Sequence, residues 1–220
     1  MTVQVKICGI TDAAAFDAAI AAGADWVGFV FFPPSPRYVS PARARAMSAR
    51  SPGGPPRVGL FVDPTPEAIA TTLESVRLDI LQLYGTPDLA ALHARFGLPI
   101  WRPVGVAAAA DLPRTSADVE RLVLEAKPPA NATRPGGNAA LFDWSLLRGW
   151  KAPLPWILAG GLHADNVTEA IETTGASAVD VSSGVESRPG VKDPALIHAF
   201  ISQVRAPTIR LRCAGLGLGN

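Results

Sequence analysis

Two side chains in this sequence stand where strand ends could bring a base and an acid together. Cys8 closes the run VKIC ahead of Gly9, and Glu125 closes the apolar run RLVLE. A free thiol titrates near ~8.5, so only a modest positive field is needed to make a thiolate base useful at neutral pH. Lys6, on the same side of an extended strand, is a source of that field. A thiolate and a carboxylic acid facing each other across one pocket suit an isomerisation by proton transfer. Two glycine-bearing turns add an anion site: Ala159, Gly160 and Gly161, then Ser182, Ser183 and Gly184, both at the ends of short apolar runs. Such turns bring backbone N–H groups close to a phosphate. Arg37, in PPSPRYVSP, has the fork geometry to grip a carboxylate.

Positioning these groups takes repeated βα units. Short β-branched or aromatic runs at 3–8, 26–32, 58–62, 80–83, 100–104, 122–125, 156–158 and 178–181 read as strands. Helical composition falls between them, at 12–22, 41–49, 66–75, 88–96, 143–150, 164–174 and 194–204. The stretch 107–120 contains Pro113 and no apolar stripe, which predicts a short or irregular helix. Thr11 is the expected N-cap of the first helix, while Ser40-Pro41 and Thr65-Pro66 place a cap before a proline suited to the first turn. Eight such units without a Gly-rich nucleotide fingerprint after the first strand predict an α/β fold, a single (β/α)8 TIM barrel over residues 1–205. Residues 206–220 read as a disordered tail outside it, and the Pro/Gly/Asn-rich stretch 127–141 as a loop over the active site.

In the first strand, Val3, Val5 and Ile7 alternate with Gln4, Lys6 and Cys8. The apolar set belongs under the helices, which turns Cys8 into the barrel at its C-terminal mouth, where barrel enzymes carry their chemistry.

Composition narrows the partners. With 48% hydrophobic and 18% charged residues and a net charge of +1, the chain is globular and has no basic excess for nucleic acid. The N-terminus lacks a signal peptide, and no run reaches the ~18 apolar residues of a membrane span, so a cytoplasmic protein is expected. Cys8 and Cys213, and His93, His163 and His198, have no metal-ligand spacing. Expected partners are a small phosphorylated molecule and, as a homodimer, a second copy of the chain; a monomer fits equally.

These features resemble the phosphoribosylanthranilate isomerase family, the barrel enzymes of tryptophan biosynthesis. The resemblance runs from about Val5 to Val204 and rests on KICGIT, ADWVGFVFFPPSPRYVSP, VGLFVD, QLYG, PGGNAALFDWSLL, LAGGL and VDVSSGVESRPGVKD. It implies an Amadori rearrangement of N-(5'-phosphoribosyl)anthranilate to 1-(2-carboxyphenylamino)-1-deoxyribulose 5-phosphate, without cofactor or metal. By that likeness Cys8 is the general base and Arg37 meets the anthranilate carboxylate. Gly160, Gly161, Ser182, Ser183 and Gly184 take the phosphate, and Asp180 lies near the sugar hydroxyls. The family's general acid is an aspartate, and Glu125 occupies its position. Tyr84 stands where the family usually has His, and Ala139 where glycine is common. On these grounds Glu125→Asp is expected to preserve or raise the rate. Two other readings compete: an inactive barrel that binds a phosphorylated sugar, and the related histidine-pathway isomerase, against which Cys8 argues because that enzyme carries an aspartate there.

Overall fold

The computed structural model describes residues 2–85, 87–115, 119–127 and 141–206. Eight parallel strands close into a barrel in chain order: β1 (Gln4–Cys8), β2 (Trp26–Val30), β3 (Arg57–Val62), β4 (Ile80–Tyr84), β5 (Ile100–Val106), β6 (Arg121–Ala126), β7 (Trp156–Leu158) and β8 (Ala178–Val181). Pairing of β1 with β8, Lys6 opposite Asp180, completes the ring. The predicted barrel is the observed one.

Strand parity sorts the apolar residues into two cores. Val5, Ile7, Val27, Phe29, Leu81, Leu83 and Leu124 point outward and pack with helix residues such as Phe16, Ile69 and Phe200. Trp26, Val58, Ile80, Trp101, Val123, Ile157 and Ala178 point inward and fill the barrel. Trp26 and Trp101 meet edge to face at 5.2 Å, and the Arg121 guanidinium lies 5.0 Å and 5.3 Å from their ring centres. Cys8, Val30, Leu60 and Tyr84 form a separate cluster.

The helices are α1 (Ala13–Ala21), α2 (Pro41–Ser48), α3 (Pro66–Ser75), α4 (Leu89–Phe96), α5 (Val167–Thr174) and α6 (Pro194–Arg205). Ser40 and Thr65 cap α2 and α3 as expected, each with proline in the first turn. For α1 the cap is Asp12, which accepts from the Ala15 N–H at 2.9 Å, and Thr11 instead donates to the Gly190 carbonyl at 3.0 Å. An aspartate one residue on is as good a cap as threonine, which frees Thr11 for a long-range tie.

One predicted helix shrinks, and the one expected to be short or irregular is so. Segment 143–150 yields a single 3-10 turn, Trp144–Leu147, ahead of Gly149 at positive φ, and the described residues of 107–120 hold the turn Ala109–Asp111. Helix α5 starts late, because Asn166 turns its side chain back to the His163 N–H (2.9 Å) and the Gly161 carbonyl (3.0 Å). After β8 an unpredicted ribbon appears, β9 (Glu186–Arg188) antiparallel to β10 (Val191–Lys192). The expected loop 127–141 lies outside the described residues except at its ends, as do Ala139, Cys213 and the tail from 207.

Candidate active site

At the C-terminal mouth the strand ends enclose a pocket of roughly 690 Å³, open to solvent. Its wall includes Cys8 from β1, Gln82 and Tyr84 from β4, Glu125 from β6, Gly160 and Gly161 after β7, and Asp180, Ser182 and Ser183 from β8 and beyond it. Arg37 joins them from the loop after β2. The sequence-derived candidates therefore converge, with one exception. Gly184 does not line the pocket; a Cβ there would fall 1.9 Å from the Leu162 carbonyl oxygen, so its part is to let the turn after β8 lie against that after β7.

The thiol of Cys8 sits in a built environment. Lys6 is fully buried beneath it and bonds both Asp180 carboxylate oxygens, at 3.0 and 3.1 Å. Burial alone would depress the Lys6 ammonium, but Asp180 and Cys8 together raise it above the usual lysine range. Lys6 lowers the thiol pKa as expected, but it does not decide the balance. Burial pushes the Cys8 thiol up, Lys6 pulls it down, Asp180 pushes it up again, and the balance lies above the ordinary thiol value. Lys6 spends much of its field on the aspartate beside it.

Space for this arrangement comes from β2. Gly28 pairs with Cys8 across the sheet, and a Cβ there would stand 3.1 Å from Sγ and 3.3 Å from the Lys6 Nζ. Any side chain at that position forces the Cys8 thiol or its lysine to move.

Arg37 is buried and already held. Its Nε and one terminal nitrogen bond Glu186 at 2.7 and 2.9 Å, and Lys192 bonds the same carboxylate at 2.8 Å. Lys192 also donates to the Ser182 carbonyl (2.8 Å) and hydroxyl (3.1 Å). Burial brings Lys192 down to about 8 against the pull of Glu186. The same burial pushes the Glu186 carboxyl up, but Arg37 and Lys192 overcome it and hold the group below its usual range. Sequence reasoning missed Glu186 and Lys192. The available signal was the ribbon itself: opposite charges flanking the Pro189-Gly190 turn, which become cross-strand partners.

Gly160 and Gly161 take φ of 84° and 65°, a left-handed pair that only glycine adopts at low cost. Asn166 pins this turn through its bond to the Gly161 carbonyl. Across the pocket, the buried Tyr84 hydroxyl donates to Glu125, and burial with the Glu125 charge raises the tyrosine well above its usual range. Among the described residues no cluster of three or more His, Cys, Asp or Glu is placed to hold a metal, and no helix is long and apolar enough to cross a membrane.

The Lys6–Asp180 pair makes a stability prediction. Asp180→Asn leaves a buried ammonium without its counter-charge, a loss of about 3–5 kcal/mol. The urea midpoint at neutral pH should fall accordingly. Raising the pH toward about 10 should shrink the deficit, because the variant then sheds the Lys6 proton when folded more readily than when unfolded. A midpoint unchanged from wild type would show that the pair adds nothing.

Comparison with known proteins gives one answer. The model of the family described as N-(5'-phosphoribosyl)anthranilate (PRA) isomerase matches residues 5–203. A protein of that name from Acidiphilium cryptum is 52% identical over 204 residues, spanning 92% of this chain and 98% of its own. One from Paramagnetospirillum magneticum is 54% identical over 211 residues, 93% and 98% of the two chains. Among solved structures, phosphoribosyl anthranilate isomerase from Thermotoga maritima superposes with a TM-score of 0.78 at 36% identity, covering 92% of this chain and 98% of that one. A second structure of such an enzyme, in complex with reduced 1-(o-carboxyphenylamino)-1-deoxyribulose 5-phosphate, gives 0.77 at 36%, with the same coverage. A third is of monomers generated from the dimeric Thermotoga maritima enzyme, with a TM-score of 0.77 at 38% identity and the same coverage again. With the match spanning nearly all of the barrel, the chain belongs to the N-(5'-phosphoribosyl)anthranilate isomerase family.

Proposed function

We infer that this chain isomerises N-(5'-phosphoribosyl)anthranilate with Cys8 as general base and Glu125 as general acid. The observation that carries the reading is that both groups line one pocket whose rim also holds two glycine-bearing turns. Glu125 delivers its proton to the ribose ring oxygen while the C1–O bond breaks and the nitrogen lone pair forms a C=N bond. Cys8, as thiolate, then takes the C2 proton, and the electrons left behind form the C1=C2 bond of an enolamine. Loss of the 2-hydroxyl proton and gain of one at C1 complete the ketose, with C2 oxidised and C1 reduced by the same amount. No external oxidant or reductant enters.

The turns at Gly160, Gly161, Ser182 and Ser183 receive the phosphate in this reading, and Gly184 supports them. Asp180, its carboxylate on Lys6, faces the sugar hydroxyls. Arg37 faces the anthranilate carboxylate, its guanidinium aimed by Glu186. Where the ligand carboxylate arrives, the fork held by Glu186 is one of fixed direction, which suits a bidentate partner.

The test follows the fluorescence of the substrate as it is consumed, across pH. In Glu125→Gln, where the acid no longer titrates, the residual kcat/KM should climb with pH between about 7 and 9 as the thiolate fraction grows, because burial keeps the Cys8 thiol protonated past neutrality. Binding without turnover would identify an inactive barrel. A flat profile in that variant would remove the thiol from the rate-determining proton transfer.

A further inference from the structure

One polar atom of the pocket has no use in the scheme above. Gln82 is 1% exposed, lies on β4 between Leu60 and Trp101 of the neighbouring strands, and lines the pocket. Its amide nitrogen donates to the Tyr84 hydroxyl at 3.4 Å. Its amide oxygen is buried and has no hydrogen-bond partner.

The orientation of that amide follows from its neighbour. Tyr84 gives its single hydroxyl proton to Glu125, so toward Gln82 it presents only a lone pair. A lone pair must be met by the nitrogen, which leaves the oxygen as the unmatched atom. Buried acceptors without donors cost stability, and a glutamine among apolar neighbours could be replaced by methionine or leucine at no loss of packing. An orphan kept in a pocket wall is a group waiting for a donor.

The closed strand order says where the donor lies on the ligand. β4 is four strands from β8 in a ring of eight, directly across from the turn at Ser182 and Ser183. Resting on the reading above, we propose that Gln82 is a substrate-binding residue whose amide oxygen accepts a hydrogen from a hydroxyl or amine group on the sugar–amine segment remote from the phosphate. The residue thereby selects for a donor at that position and fixes the ligand next to Glu125, which its own amide supports through Tyr84.

The experiment compares wild type with Gln82→Met by calorimetric titration with reduced 1-(o-carboxyphenylamino)-1-deoxyribulose 5-phosphate and with inorganic phosphate, by thermal melting and by turnover. The variant should bind the sugar–amine ligand about tenfold more weakly, bind phosphate as wild type does, and melt at the same temperature or higher. A purely structural glutamine gives the opposite: a lower melting temperature with ligand affinity intact. Ligand affinity and KM within twofold of wild type overturn the proposal. Gln82→Leu is read the same way if the methionine variant does not fold, and failure of both to fold also counts against it, since it would mark the glutamine and its bond to Tyr84 as structural. Wild type that neither binds the ligand nor turns over substrate refutes the parent reading instead.

Discussion

Cys8→Ser should lower kcat by about 10²–10⁴-fold, the usual contribution of a positioned general base, while leaving the affinity for the reduced product analogue within a few-fold of wild type. A hydroxyl is close in size to a thiol and should not collapse the pocket. What it lacks is an accessible ionised form: a serine hydroxyl stays protonated even beside Lys6 and Lys192, both of which favour the thiolate. The loss should therefore appear in kcat, with KM little changed. Stopped-flow or steady-state fluorescence measures both. Full activity in Cys8→Ser would assign the C2 proton to another group.

Glu125→Gln should cost a similar factor, about 10²–10⁴-fold in kcat, because the amide has no proton to give to the ring oxygen. The amide still accepts from Tyr84, so folding and ligand affinity should hold. The more informative variant is Glu125→Asp. From the sequence alone it is expected to match or exceed the wild-type rate. The Tyr84 hydroxyl alters that expectation: it is bonded to the glutamate carboxyl, and shortening the side chain by a methylene withdraws the acid from this partner. Misplacement on the order of 1 Å can cost ~10²-fold. A drop of about that size in kcat for Glu125→Asp would mean that the glutamate and Tyr84 work as a matched pair. A rate equal to wild type would mean that Tyr84 does not set the position of the acid.

The residues that the sequence made legible are those whose role follows from local periodicity. Alternation in Val3 to Cys8 told which side chains enter the barrel, and the glycines at 160 and 161 announced a backbone conformation. Cys8 and Glu125 could be placed at the mouth because each ends a strand. What stayed hidden depends on pairing between distant side chains. Lys6 meets Asp180 across 174 residues, and Arg37 meets Glu186 across 149, so no spacing rule connects them. Lys6 does pull the Cys8 thiol down, as a lysine two residues away suggests, but the burial that outweighs it and the opposing push of Asp180 are seen only in the fold. The N-cap shift from Thr11 to Asp12 has the same origin, since only the fold reveals that Thr11 is needed at Gly190. Tyr84 was legible as an unusual residue, but its bond to Glu125 was not.

Trp26 and Trp101, with Arg121 against both rings, plug the barrel interior below the pocket. Traffic through the molecule is thereby one-ended: whatever enters by the mouth must leave by it. Spent ketose and fresh aldose cannot pass each other, so accumulated product should inhibit in strict competition with substrate, and the enzyme should empty before it refills.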